Sequence, residues 1–340
     1  MGAVRNVLMG TPGRKRLTLL VMALVLCAIT LELGCQVMGF FVLRKLEATR
    51  HDPTHYYQPS DDPTLAYELK HDFSLTLDGG GGGRRLHINK AGFREDSDST
   101  FADKTRVAVL GDSVTFGMGL SQDETIPAQV QKLVDPNAEK VRVLNCGVPG
   151  LGLGEFPAFL AKAEKAYQPQ AVVYVLNPND FALRDSVYEG ADNGLYRQYR
   201  HPWLKSPWMI RKVIYRMKKG GDMVLPSTRW YAWMFDGTKG VNLARIAEMK
   251  RMCDARRAKF AVALMAVNAS YFTDDRTMQR EYDEIKSYLK ASGIEFVDST
   301  DAFAAAGGAK GLIDETDHYT AAGCAVMAKA LKPVVEKMAP

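Results

Sequence analysis

The first pattern in the chain is an apolar run of 27 residues, Leu17 to Leu43, broken mainly by Glu32 and Gln36. A helix rising about 1.5 Å per residue needs about 20 such residues to cross the hydrocarbon, so the run predicts one transmembrane helix. Glu32 lies past its middle and is expected to reach the interface on a tilted helix or to face a partner helix. Residues 46–70, rich in His, Asp, Pro and Tyr, show no clear period and read as a linker or wrapping arm. Residues 73–77 and 84–89 then alternate apolar and polar around Gly79–Gly83, which predicts a hairpin with a loose tip.

From Arg106 the period changes repeatedly between that of a buried strand and that of a helix. Strands are predicted at Val107–Leu110, Val141–Cys146, Ala171–Leu176, Phe260–Met265 and Ile294–Val297. Helices are predicted at Ile126–Val134, Phe156–Tyr167, Leu243–Arg256, Met278–Leu289 and Ala321–Lys337. Such alternation implies an α/β fold: a three-layer α/β/α sandwich on a parallel, flavodoxin-like sheet, tethered by one N-terminal transmembrane helix. Sites in such sheets lie beyond the carboxyl ends of the strands.

Charge and cysteines refine this picture only locally. The chain has 340 residues, 46% hydrophobic and 24% charged, with a net charge of +5 that is unevenly spread. Arg5, Arg14, Lys15 and Arg16 precede the apolar run without an acidic residue. That bias favours the N-terminus in the cytoplasm and the remainder outside. A cleaved signal peptide competes with this reading, as does a lipoprotein signal at Gly34-Cys35. The length of the run favours an uncleaved anchor. Cys146, Cys253 and Cys324 are widely spaced, which argues against a disulfide framework or a zinc site. Pro53 between His51 and His55 disfavours a helical metal pair, and no Lys-Ser/Thr follows the glycine run to make a P-loop. Neither a metal nor an organic cofactor is expected.

Candidate chemistry collects where elements end. The first strand runs into Gly111-Asp112-Ser113, where a serine at a strand-to-helix turn can expose its hydroxyl to backbone N–H groups. It lacks the G-x-S-x-G nucleophile elbow. The second strand ends in Asn145-Cys146-Gly147-Val148-Pro149-Gly150, without the G-x-G-x-x-G spacing of a dinucleotide site. The third ends in Asn177-Pro178-Asn179-Asp180, where an amide can donate to a developing oxyanion or simply close an Asx turn. Asp314-Glu315-Thr316-Asp317-His318 precedes the last helix, and a histidine among carboxylates can be held in one tautomer as a general base.

Taken in order, these four blocks resemble those of the SGNH (GDSL-type) hydrolase superfamily. The resemblance covers roughly residues 100–338. Leu86-His87-Ile88-Asn89 and Gly92-Phe93-Arg94 also resemble extensions of membrane-anchored bacterial members. The resemblance implies a serine ester hydrolase with Ser113 as nucleophile and His318 as general base. It implies an oxyanion hole from the N–H groups of Ser113 and Gly150 and the amide of Asn179. Two positions depart from the family pattern. Asn177 replaces the usual glycine before the asparagine block. The acid, three residues before the histidine, is Glu315 rather than Asp, and Asp314 can serve only if the loop bulges by one residue.

The division that follows is a cytoplasmic tail (1–16), an anchor (17–43), a linker and hairpin extension (44–99) and a hydrolase domain (100–340) with an insertion near 190–240. Residues 193–220 of that insertion carry eight Lys/Arg and no acid, interleaved with aromatics. They read as a lid, as a patch for lipid headgroups or anionic glycan, or as a solvated basic helix packed on the sheet. Nucleic acid is not an expected partner. The expected function is an O-acyl esterase or deacylase, with envelope glycans as a candidate substrate. An O-acyltransferase using the same residues and a non-catalytic glycan-binding protein on the same fold are the alternatives.

Overall fold

The computed structural model describes residues 12–62, 65, 67–77, 84–182, 203–207, 209–210, 228–267 and 278–339. In the N-terminal part lie α1 (Pro12–Thr49), β1 (Tyr57–Pro59), β2 (Tyr67–Leu69), β3 (Phe73–Leu77) and β4 (Arg84–Ile88). Then come β5 (Thr105–Gly111), α2 (Ser113–Phe116), α3 (Ile126–Val134), β6 (Val141–Gly147), α4 (Phe156–Tyr167) and β7 (Ala171–Leu176). The chain finishes with α5 (Thr228–Ala255), β8 (Lys259–Leu264), α6 (Gln279–Ala291), β9 (Glu295–Asp298), α7 (Thr300–Ala305) and α8 (Ala321–Met338).

The five strands β5 to β9 form one parallel sheet in the order β6-β5-β7-β8-β9. Their side chains alternate between two buried faces, which is why the sequence shows continuous apolar runs rather than alternation. Val107, Val109, Val173, Val175, Ala261 and Ala263 face α3 and α8. Ala108, Leu110, Val172, Tyr174, Val262 and Leu264 face α4, α5 and α6. Each fully buried Val or Leu contributes about 1.5–3 kcal/mol, so the two cores hold the sheet rigid under whatever its edge carries. The order reverses between β5 and β7, and this switch point places the ends of those two strands side by side.

The predicted elements of this sheet are all present, with ends shifted by a residue or two. The larger difference is α5, which begins at Thr228 rather than Leu243. Gly237, Thr238 and Gly240 weaken the helical pattern there, and tertiary packing overrides them. Tyr231 and Phe235 on this helix are core residues, with Phe235 4.9 Å from Phe181 between ring centroids. Most of residues 193–220 lies outside the described residues.

The arm before the sheet is ordered and wraps the domain. β3 and β4 pair antiparallel, and the tip Gly79–Gly83 lies outside the described residues. Tyr56 stacks on Phe116 at 5.3 Å, and the Tyr67 hydroxyl donates to the Pro149 carbonyl at 2.7 Å. Helix α1 is long and apolar enough to cross a membrane. Its acid, Glu32, accepts from the N–H groups of Lys205 and Ser206 at 2.9 Å each, and Gln36 donates to the Trp203 carbonyl at 2.6 Å. A carboxylate on an apolar helix needs such donors, and here Lys205 and Ser206 supply them.

Candidate active site

Ser113 is the first residue of α2, a single turn that begins where β5 ends. Asp112 caps that turn: its Oδ1 accepts from the Val114 N–H at 3.0 Å. The turn's other end is held by Arg94, from the Gly92-Phe93-Arg94 segment of the arm. Its guanidinium is buried and donates to the carbonyls of Phe116 (2.8 Å), Gly117 (2.6 Å) and Leu120 (2.6 Å). Phe116 and Gly117 lie at the C-terminal end of the turn, where a cation is the favourable partner for the carbonyls. Next to it the buried carboxylate of Glu95 accepts from Arg142 (2.5 Å) and from the Asn145 N–H (2.6 Å), tying the arm to β6 as well. The sequence singled out Gly92-Phe93-Arg94 only as a resemblance; its contact with the Ser113 turn comes from the fold.

Glycines let β6 close on this turn. A Cβ at Gly147 would fall on the backbone of Phe116 and Thr115, so any side chain there would push α2 out of place. Gly150 takes φ +73°, the left-handed region that glycine enters without strain. Among the described residues, the backbone N–H groups of Ser113 and Gly150 find no protein acceptor. Unspent donors on a rigid backbone are what an incoming oxyanion requires.

The third block lies at the end of β7, in the 3₁₀ turn Pro178–Phe181. Asn177 has φ −94° and ψ 137°, an ordinary extended conformation, so the departure from glycine costs no backbone strain. Its side chain is put to use: Nδ2 donates to Asp112 Oδ2 at 2.9 Å, and Oδ1 accepts from the Asn179 N–H at 3.3 Å. The Asn179 amide also faces the Asp112 carboxylate and acts to lower it. An amide has two N–H bonds, so one can be held by Asp112 while the other is offered outward. Helix α5 fixes the turn from behind, with Thr238 and Asn242 both donating to the Phe181 carbonyl (2.8 and 2.7 Å).

His318 comes from the loop before α8. Its Nε2 lies 2.8 Å from Ser113 Oγ, across 205 positions of sequence. Its Nδ1 lies 2.8 Å from Thr316 Oγ1. Asp314 Oδ1 accepts from the Thr316 N–H (2.8 Å), the Thr316 hydroxyl (2.7 Å) and the His318 N–H (2.9 Å). Glu315 is exposed and is not brought to His318. Asp317 takes φ 61°, which turns its carboxylate inward to the Tyr231 hydroxyl at 3.0 Å while His318 turns toward Ser113. Asp is among the few residues that enter this region at modest cost.

The electrostatics divide along the same line. Burial pushes Asp112 up from the ordinary carboxylate range, against the opposing pull of the Val114 N–H, His318 and the amides of Asn179 and Asn177. Burial likewise raises Glu95, against Arg142 and the Asn145 N–H. For Asp314, partial burial acts upward, but the His318 N–H and the two Thr316 donors outweigh it and hold the group below the ordinary range. Among the described residues no group of three or more His, Cys, Asp or Glu is placed to hold a metal ion.

A serine hydroxyl on a histidine nitrogen, beside unspent N–H donors, can attack a carbonyl carbon and stabilise the charge that develops. The model of the GDSL-like lipase/acylhydrolase family matches residues 109–326. The chain belongs to this family. It is a carboxylic ester hydrolase. In structure it is similar to TesA, at 16% identity and a TM-score of 0.44 over 68% of this chain and 99% of that one. It is similar also to the psychrotrophic esterase EstA from Pseudoalteromonas sp., at 12% and 0.43 over 69% and 98%. A catalytic mutant of an acetylxylan esterase from Geobacillus stearothermophilus is similar at 16% and 0.43 over 68% and 94%. None of the curated proteins compared matches the chain.

Proposed function

We propose that this hydrolase works through an acyl-enzyme on Ser113, with His318 as its general base. The 2.8 Å approach of His318 Nε2 to Ser113 Oγ is the observation that carries this reading. As Ser113 Oγ bonds to the ester carbonyl carbon, its proton passes to Nε2. The carbonyl oxygen becomes an oxyanion, held by the N–H groups of Ser113 and Gly150 and the outward N–H of Asn179. Each such donor supplies about 2.7–4 kcal/mol of barrier lowering. Nε2 then returns the proton to the departing alkoxide, and water repeats the sequence on the acyl-enzyme. The free donors on Ser113 and Gly150 and the tether from Asp112 to Asn179 support this assignment.

The substrate is read as an O-acyl ester of an envelope glycan, a class that rests on the family and on the anchor. Helix α1 is read as an uncleaved anchor with residues 44–340 outside the cytoplasm. This follows from its apolar length and its basic N-terminal flank. A fluorophosphonate probe should label the wild type and not Ser113→Ala. The variant should lose ester turnover by on the order of a million-fold while keeping its fold. Labelling that survives in Ser113→Ala would move the nucleophile elsewhere. An acyl-ester panel run with and without acceptor sugar identifies the acyl group and separates hydrolysis from transfer. A reporter fused after residue 60 should be active outside the cytoplasm and remain with membranes; a shortened soluble chain would restore the signal peptide.

A further inference from the structure

We infer that Thr316 is the residue that sets which ring nitrogen of His318 carries the proton, and that the hydrogen-bonded link from the Asp314 carboxylate to the imidazole ring runs through this hydroxyl. The inference deepens the Ser113–His318 reading and rests on it. A carboxylate only accepts, and a threonine hydroxyl has one hydrogen to give. Thr316 Oγ1 lies 2.7 Å from Asp314 Oδ1, so its hydrogen points there. What Thr316 Oγ1 then presents to His318 Nδ1, 2.8 Å away, is a lone pair. Nδ1 must therefore carry the proton of the neutral imidazole, and Nε2 is left with the lone pair that faces Ser113 Oγ.

Asp314 is suited to this task because it is held on several sides. It accepts from the N–H groups of Thr316 and His318 as well as from the hydroxyl, and its own N–H donates to the His318 carbonyl at 2.8 Å. These bonds close the loop into a ring in which the carboxylate cannot leave Thr316 without breaking the turn. Among the described residues no carboxylate forms an ion pair with the His318 ring. Asp317, the adjoining acid, is turned away to the Tyr231 hydroxyl. The place that a carboxylate takes in a Ser-His-Asp triad is thus filled by a hydroxyl, with the charge one hydrogen bond further out.

During attack the Ser113 O–H bond breaks, Nε2–H forms, and the imidazolium carries a proton on both nitrogens. Nδ1–H still donates to Thr316 Oγ1, whose hydrogen still faces the Asp314 carboxylate. No proton moves along this chain, and it stabilises the positive ring by orientation and by charge. Thr316 is a positioning residue on this account.

The test reads the tautomer and the rate separately. In ¹⁵N-histidine spectra of the wild type, with the signal assigned through His318→Ala, the proton should sit on Nδ1. Thr316→Val, which keeps the shape and removes the hydroxyl, should lose that preference. It should also lower kcat by about 100-fold with little change in KM, less than the loss a misplaced tautomer causes in a serine protease triad. Thr316→Ser should restore both, and Asp314→Asn combined with Thr316→Val should cost no more than the larger single change. A wild-type tautomer and rate in Thr316→Val would overturn the inference. So would an Asp314→Asn loss that simply adds to that of Thr316→Val. Where Thr316→Val fails to fold, the Thr316→Ser and Asp314→Asn spectra decide the tautomer. Failure of the Ser113 reading shows up differently, as probe labelling that ignores Ser113→Ala while the Nδ1 tautomer persists.

Discussion

The two halves of the site are built in opposite ways. The Ser113 half is buried and cross-tied: Asp112 caps the turn, Arg94 closes its far end, Asn177 and Asn179 hold Asp112, and Gly147 lets β6 press against it. The His318 half is a partly exposed loop whose geometry comes from a few local bonds around Asp314. The first half takes its contacts from the arm, three strand ends and α5. The second takes most of its contacts from five consecutive residues. A serine held at a strand end, as the proposed nucleophile is, takes its support from many directions. A histidine proposed to accept and release a proton needs only one orientation, and short-range hydrogen bonds can supply it.

If this contrast is right, the largest effect on folding comes from the buried half. Arg94→Ala takes the charged donor from the carbonyls of Phe116, Gly117 and Leu120; the first two keep only the Asn145 amide and the Leu120 N–H, and that of Leu120 is left unsatisfied. Since one unsatisfied buried polar group costs about 1–3 kcal/mol and a lost hydrogen bond to a charged group about 1.5–3, we expect a loss of about 3 kcal/mol in denaturant unfolding, with turnover falling alongside it. A stable Arg94→Ala enzyme with reduced turnover alone would mean that the guanidinium tunes the site rather than holding it.

Titration offers a second contrast, of intermediate size. Asp112 and Glu95 are raised by burial, so their contribution to stability is fully present below the unfolded carboxylate value, near about 4, and is lost as pH rises through their folded values. Asp314 is lowered by its donors. Its contribution is present above the unfolded value and is lost as pH falls through the lower folded one. Carboxyl ¹³C titrations should therefore give midpoints above the ordinary value for Asp112 and Glu95 and below it for Asp314. A midpoint for Asp314 above the ordinary value would show that the ring around it does not persist in solution.

The smallest effect is expected at Glu315. It is exposed and does not reach His318, so Glu315→Gln should change kcat and stability by no more than about 0.5 kcal/mol, the usual range for a surface change. A loss of several orders of magnitude would restore the family spacing, with Glu315 as the acid, and would show that the loop rearranges around substrate.

Strand and helix positions were readable from the sequence where burial alone decides them. Ala171–Leu176 and Phe156–Tyr167 match their predicted bounds because a two-sided buried strand and an amphipathic helix leave unambiguous apolar patterns. Ser113 and His318 were singled out by the order of the blocks and their places at element ends, and the fold sets them 2.8 Å apart. Helix α5 was only half readable, since Tyr231 and Phe235 could be known as core residues only once Phe181 had been placed beside them.

What the sequence by itself determined, then, is the layer order, the apolar N-terminal helix and the four blocks, because each is encoded in local periodicity or in a short motif. What only the tertiary structure decided is which polar groups meet. Arg94 reaches the Ser113 turn from an arm outside the sheet, and Asn177 turns a departure from the family pattern into a tether for Asp112. Spacing pointed to Glu315 as the partner of His318, whereas the folded loop sets Thr316 against the ring with Asp314 behind it. The reason is physical. Hydrophobic burial is non-directional and follows composition, so it can be read residue by residue. A hydrogen bond depends on distance and angle to within a few tenths of an ångström, and that exists only after the chain has folded.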